Sequence, residues 1–361
     1  MSLPNVSINF KNGSLGSVVP SADGVVGVGV GKSSLVGTEE AKVFYGSTAF
    51  AAEKDNPELL AFAKAFYANA GEGAELWVYN FGGPNQNSTS FETSIRYLVE
   101  KSGFRVRTVA LCIDHTYTSL DEHLDVAQLF CDQVLQSYHL PVICLINVEN
   151  CDSYDAFPDL TAKNYDRVAV CCSNDLGAIA GRIAASSVET HIGRVRDGAL
   201  KLADRTYDDE AMQDLNNKGY ITLRTYAGKD GYFFTDDHMA CAETSDFHSL
   251  ARRRVIDKAY RCAYTVLLEY VNDNLPVTSE GCITAMAAKA IEQEVARYIY
   301  NSMTAEGNLS VDESDSTDMG VKVSVDTTND FVATNRLNVT ISVKPYGYAK
   351  YISVDLGFLK E

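Results

Sequence analysis

Between about Ala41 and Asn174 the chain repeats one pattern: a short run of Val, Leu, Ile and aromatic residues, then a stretch with apolar residues every three or four positions. Such alternation commits a chain to βαβ units, because neighbouring parallel strands need a crossover long enough to hold a helix. The clearest helix places Leu120, Leu124, Ala127, Cys131, Val134, Leu135 and Tyr138 on one face and stops before Pro141. Asn56-Pro57-Glu58 opens another through Tyr67, since Pro suits the first helical position. Residues 91–99 and 176–188 are further helices, and residues 76–79, 106–113, 142–148 and 168–172 are strands. The Val and Gly run at 24–30 reads as a fully buried strand whose glycines admit a close neighbour. The expectation is a mostly parallel sheet with helices on both faces.

After about Gly198 the texture changes. Residues 220–224 alternate as a strand, and Gly228-Lys229-Asp230-Gly231 is a hairpin loop leading into Tyr232-Phe233-Phe234. A long amphipathic helix spans 249–274 with Ile256, Ala259, Ala263, Val266, Leu267 and Tyr270 on its apolar face, and a second helix spans 283–303. The acidic, Ser-rich stretch 311–318 is a surface loop. Two strands close the chain, with Leu337, Val339, Ile341 and Val343 in one and Ile352, Val354, Leu356 and Phe358 in the other. For 361 residues, at about 150 per domain, two or three domains are expected. The fold class is therefore α/β plus α+β. An N-terminal arm (1–22), an α/β domain (23–200), a C-terminal α+β domain (201–344) and a C-terminal arm (345–361) make up the chain.

Chemistry is hard to place on this frame. Gly27-Val28-Gly29-Val30-Gly31-Lys32-Ser33 suggests a phosphate-cradling loop, but Val26 stands where that motif needs a glycine, and the glycine spacing fails the dinucleotide pattern too. Asp121, Glu122, His115 and His123 lie close together without metal-ligand spacing, and no Cys-x-x-Cys pair occurs. Adjacent Cys171 and Cys172 point to opposite faces of a strand. Asp114-His115 at a strand end occupies the place of an open-sheet active site, the one opening for an α/β enzyme, though no nucleophile with a matching base can be nominated. Neither a catalytic residue, a metal ligand nor a cofactor is expected. Nine cysteines, an odd number in a long chain without a leader-like start, read as small buried hydrophobes in a reducing setting. A net charge of −17, from 31 basic and 48 acidic residues, argues against a nucleic-acid partner. No apolar run approaches membrane-spanning length, so no direct membrane contact is expected. Arg252-Arg253-Arg254 point in different directions on a helix. They form either a solvated face or contacts to an acidic partner, within the chain or on a neighbour.

The ends are more informative. Val6, Ile8 and Phe10 alternate like the closing strand, and neither terminal strand has an evident hairpin mate. Burying four apolar side chains contributes roughly 6–12 kcal/mol gross, while ordering each residue costs roughly 1–2 kcal/mol. The balance is near zero, so such an arm orders only on a preformed sheet edge that also supplies ladder hydrogen bonds. Strand addition between copies provides one. Unlike donor and acceptor surfaces then generate rings or helical filaments.

Three segments carry a family resemblance: Gly219 to Tyr226 with its Arg-Thr before a hairpin, Phe247 to Lys258 with its Arg-Arg helix, and the closing strands Val339 to Pro345 and Tyr351 to Phe358. Together with the N-terminal strand they resemble the contractile tail sheath proteins of phages and of related injection machines such as R-type pyocins. The resemblance implies a structural subunit without catalysis, which polymerises helically around a tail tube, shares terminal strands with neighbours and contracts to drive the tube through an envelope. Its energy would come from a metastable lattice. It implies an inner C-terminal α+β domain, an outer α/β domain, and DNA enclosed by the tube alone. Further implied partners are the tube, baseplate and tail terminator proteins, in a virion tail or phage-derived particle assembled in the bacterial cytoplasm. Lys289 and Arg297 on the second helix are candidate tube contacts.

Overall fold

The computed structural model describes residues 22–83, 88–111, 120–148, 157–172, 175–202 and 208–358. Val6, Ile8, Phe10, Asp114 and His115 lie outside them.

The first unit follows the βαβ expectation. In chain order it contains β1 (Val26–Val30), β2 (Glu40–Phe44), α1 (Pro57–Ala70), β3 (Leu76–Asn80), α2 (Ser88–Lys101), β4 (Thr108–Leu111), α3 (Leu120–Tyr138), β5 (Ile143–Val148), β6 (Asn164–Tyr165), β7 (Val168–Cys172) and α4 (Leu176–Ala185). Six strands form one sheet in the order β2-β3-β1-β4-β5-β7. All its pairs are parallel except the edge pair β2–β3. Period two divides each buried strand between two cores. Val26, Val28 and Val30 face α1 and α4, with Phe62, Phe66, Ile179 and Ile183. Val109, Leu111, Cys144 and Ile146 face the other way, onto Ile95, Leu98, Leu124 and Cys131 of α2 and α3.

Glycine sets two close approaches. A Cβ on Gly27 would sit 2.9 Å from Leu98 of α2, so that helix can lie close over β1 only because the position is bare. Gly177 and Gly181 bring α4 onto the backbone carbonyls of Phe62 and Phe66 of α1. Asn56 caps α1, its side chain accepting from the Leu59 N–H at 2.9 Å.

The chain continues with α5 (Asp209–Asn217), β8 (Leu223–Tyr226), β9 (Lys229–Phe234) and β10 (Ala240–Cys241). The expected boundary at 200/201 falls inside a continuous core. Met212, Leu215, Tyr220 and Ala240 complete the α2–α3 side, while Ile221, Leu223, Phe234 and Met239 complete the α1–α4 side. Two pairings bind this stretch to the sheet unit, an Ile221–Cys171 bridge at the β7 edge and the antiparallel β10–β6 pair. The hairpin turn also differs from expectation: Tyr226 pairs with Lys229, so Ala227-Gly228 make the turn, with Gly228 at φ +78, and Lys229–Phe234 is already strand.

The last unit holds α6 (Leu250–Leu267), α7 (Ala285–Ile299), β11 (Val321–Val325), a helical turn α8 (Phe331–Thr334) and β12 (Val339–Val343). Val255, Ala259 and Val266 of α6 meet Ile291, Val295 and Ile299 of α7 and Val325 of β11 in a third core. The strand at 337–343 has its mate within the chain, since β12 pairs antiparallel with β11. The closing segment does not: residues 344–358 are in no strand. Its apolar residues stand in solvent, Ile352 78%, Val354 76%, Leu356 96% and Phe358 104% exposed. Five described cysteines (Cys131, Cys144, Cys171, Cys241 and Cys262) are buried free thiols.

Candidate functional site

The enzyme-like features lead away from chemistry. In the Gly-Lys-Ser segment an internal carboxylate takes the place of an anion. Ser33 Oγ donates to Glu53 at 2.6 Å, and the Ser34 N–H and Oγ donate to it at 2.9 and 2.8 Å. Burial opposes the Glu53 charge, but these donors outweigh it and hold its carboxyl at about 2. His123 is buried on α3, its pKa lowered by burial, and Asp121 is paired with Lys163 at 2.8 Å. Cys171 donates to Asn147 Oδ1 at 3.2 Å.

What the fold gathers instead is charge along α6. The two readings of Arg252-Arg253-Arg254 separate residue by residue. Arg253 and Arg254 are buried, so neither forms a solvated face. Arg253 has its acidic partners within the chain: Asp257 at 2.6 Å and Asp166 at 3.1 Å. Its guanidinium lies 4.4 Å from the ring centroid of Phe247. Arg167, beside β7, reaches the same Asp257 at 3.4 Å and Asp132 of α3 at 3.4 Å. One buried carboxylate thus joins α6 to the α/β unit. Arg254 donates to the carbonyls of Ile183, Ser186 and Ser187 at 3.0, 2.9 and 3.2 Å, closing the open C-terminal end of α4. Burial lowers its pKa to about 10, still fully charged at neutral pH. Arg252 is half-buried beside Ser249 and Tyr348.

Further along α6, Lys258 pairs with Asp23 at 3.0 Å and Glu306 at 2.8 Å, and Arg261 also holds Asp23. Asp23 immediately follows the stretch expected to form the N-terminal arm. The root of the C-terminal arm lies nearby. Tyr348 donates to the Glu189 carbonyl at 2.9 Å and stands edge-on to the His191 ring. Lys350 Nζ lies 2.7 and 2.6 Å from the two oxygens of Asp236. Behind this strap is a cavity of about 1320 Å³ between residues 346–352, β8 and α5.

His191, Asp236 and Asp237 form the one group with cation-binding spacing among the described residues. His191 Nε2 lies 3.0 Å from Asp236 and 3.1 Å from Asp237, while the Gly193 N–H donates to Nδ1 at 3.0 Å. That donor favours the neutral ring with its proton on Nε2, directed at the two carboxylates, and opposes the imidazolium, whose Nδ1 carries a proton too. The countercharge is Lys350. Burial opposes the charged ring, but the hydrogen bonds to Asp236 and Asp237 outweigh it and raise its pKa to about 9. Burial likewise opposes the Asp236 charge, and His191 and Lys350 pull its carboxyl far below the usual range.

Lys289 and Arg297 lie on the exposed face of α7, opposite the buried Ala288, Ile291, Val295 and Ile299, and Lys289 pairs with Glu292 at 2.8 Å. Nothing local in the sequence marks His191, Asp236 or Asp23 as arm contacts: Lys350 and Asp236 are 114 residues apart, Tyr348 and Glu189 159. The one available signal was the run Asp236-Asp237-His238.

Comparison with known proteins now decides the family. The DUF2586 N-terminal domain matches residues 3–238 and the DUF2586 C-terminal domain residues 246–361. The chain belongs to the DUF2586 family. The two family domains divide between residues 238 and 246, but the cores cross that line: Met239, Ala240, Cys241 and Leu250 belong to the first two cores and Val188 to the third. No curated protein matches it. Among solved structures, a chain of the anti-feeding prophage (AFP) baseplate is similar over 99% of both chains, with a TM-score of 0.66 and 15% identity. A chain of the PVC sheath complex of an extracellular contractile injection system, in its contracted state, is similar over 99% of this chain and 98% of that one, with a TM-score of 0.63 and 16% identity. The sheath tail protein from Desulfitobacterium hafniense is similar over 89% of this chain and 93% of that one, with a TM-score of 0.56 and 11% identity. The fold of this DUF2586 chain is thus similar to that of chains in contractile injection particles and of a sheath tail protein.

Two outcomes follow. Asp257→Ala leaves Arg253 and Arg167 buried without their shared carboxylate and costs about 3–5 kcal/mol, read from the shift in the urea midpoint. The raised pKa of His191 stabilises the fold below about pH 6.5, and that contribution is lost as pH rises through about 9. The gap in melting temperature between wild type and His191→Ala therefore narrows on going from pH 6 to pH 10.

Proposed function

We propose that this protein is the structural subunit of a contractile tail sheath: it polymerises helically around a tail tube, and the lattice contracts to drive the tube through a target envelope. One observation carries the reading. A chain with the sheath fold over its whole length ends in a segment whose alternate residues, Ile352, Val354, Leu356 and Phe358, are apolar and left in solvent by its own body. Large side chains exposed in a row mark a surface meant to be covered. Their spacing suits a strand added to the edge of another copy's sheet, where ladder bonds offset the ordering cost.

In this reading Val6, Ile8 and Phe10 form the second donated strand. The C-terminal unit faces the tube, with Lys289 and Arg297 on its exposed helix face, and the α/β unit lies outside. The partners are further copies of the chain, the tube protein, and the baseplate and terminator proteins at the two ends, in a tail or injection particle assembled in the bacterial cytoplasm. Catalysis has no part in it; the free energy resides in the difference between two packings of one lattice. The net charge of −17 suits a layer that does not touch nucleic acid.

Removing residues 351–361 tests this. The truncated chain keeps its circular dichroism and melting temperature, because residues 351–358 lie in no strand and their large apolar side chains are exposed. It forms no tubes under the electron microscope, whereas the full chain does. Long tubes from the truncated chain contradict the proposal, and a full-length lattice that never shortens points to a non-contractile tail or baseplate component.

A further inference from the structure

We propose that Tyr348 and Lys350 are positioning residues: with Glu189, His191 and Asp236 they form a latch that fixes where the C-terminal arm leaves its subunit. Only the arm's purpose rests on the sheath reading; the latch stands on its own contacts. β12 ends at Val343, and the Lys344 N–H still donates to the Gly320 carbonyl at 2.8 Å. Beyond it, among the described residues, Tyr348 and Lys350 make the side-chain bonds from 345–358 to the body. Tyr351, the next residue, is 94% exposed. Fixed and unpartnered chain therefore meet at one peptide bond.

The Lys350 N–H also donates to the Tyr348 carbonyl at 3.0 Å, a tight turn at Ala349 from which both side chains reach the body. Beyond it Ile352, Val354, Leu356 and Phe358 alternate with Ser353, Asp355 and Gly357. Holding positions 348 and 350 thus fixes the point from which that alternating segment leaves the body. The two anchors are of different kinds: a half-buried phenol edge-on to an imidazole, and an ion pair bonding both carboxylate oxygens.

Trypsin reads the latch directly, because it cleaves after Lys350, whose side chain is held against Asp236. In Asp236→Asn the release of the 351–361 peptide, followed by mass spectrometry, is expected to speed up at least fivefold with the melting temperature still well above the assay temperature. Lys350→Met, which leaves the body unaltered, should accelerate chymotryptic cleavage after Tyr351 to a similar degree, and Lys350→Arg should stay close to wild type. Both weakened variants should also form tubes more slowly than wild type at equal concentration. Unchanged cleavage in both overturns the latch, and faster cleavage with unchanged assembly overturns its positioning role. Should the wild type form no tubes at all, the sheath reading fails while the cleavage result still judges the latch.

Discussion

Most of what is distinctive here depends on the charged side chains of α6. Arg253 and Asp257, together with Arg167 from the sheet unit, form an ionic joint from which water is excluded. Such a joint adds little net stability over an apolar contact of the same shape, but losing one member strands the others. Its effect is geometric: the Arg253–Asp166 and Arg167–Asp257 pairs hold α6 at one place and one rotation against the α/β unit, and Asp257 is shared with Arg253 on α6 itself. Arg254, Lys258 and Arg261, at spacings of four and three, then face one side of that fixed helix. Arg254 closes α4, and the other two hold Asp23 at the root of the N-terminal segment. The C-terminal strap meets the same neighbourhood through Glu189, whose side chain accepts from Asn308, itself bonded to Lys258.

The parts legible in the sequence were those governed by local periodicity. Between residues 26 and 148 the helices α1, α2 and α3 and the buried strands β1, β3, β4 and β5 were legible as period 3.6 and as apolar runs, β1 having no polar residue at all, whereas the largely exposed edge strand β2 was not read from the sequence. The failures have a common cause, which is pairing at long range. Residues 208–241 carry hairpin texture and so read as the start of a new domain, yet Ile221 and Ala240 are claimed by strands of the first unit. Three successive arginines could be seen to point in different directions, but not that Arg253 would reach Asp257 and Asp166 while Arg254 closes α4. The period at 352–358 showed which side chains belong on one face, and the structure leaves that segment outside any strand with those side chains exposed.

The functional reading thus rests on an imbalance within one molecule. Among the described residues the body packs into three cores, and a buried arginine meets the Ile183 carbonyl at the end of α4 and those of Ser186 and Ser187 just beyond it. Beyond Lys350 no such closure exists, and the apolar residues there are as exposed as in an unfolded chain. A chain with 17 excess negative charges repels its copies, so association has to draw on short-range strand pairing and apolar burial.

Amide hydrogen exchange of the 351–358 backbone, compared between the isolated subunit and the assembled particle, bears most directly on the idea that each copy is completed by another. The account predicts exchange at close to the unprotected rate in the subunit and protection by a factor of about 100 or more in the assembly, in an alternating or continuous ladder pattern. Equal protection in the two states, at either level, would contradict it.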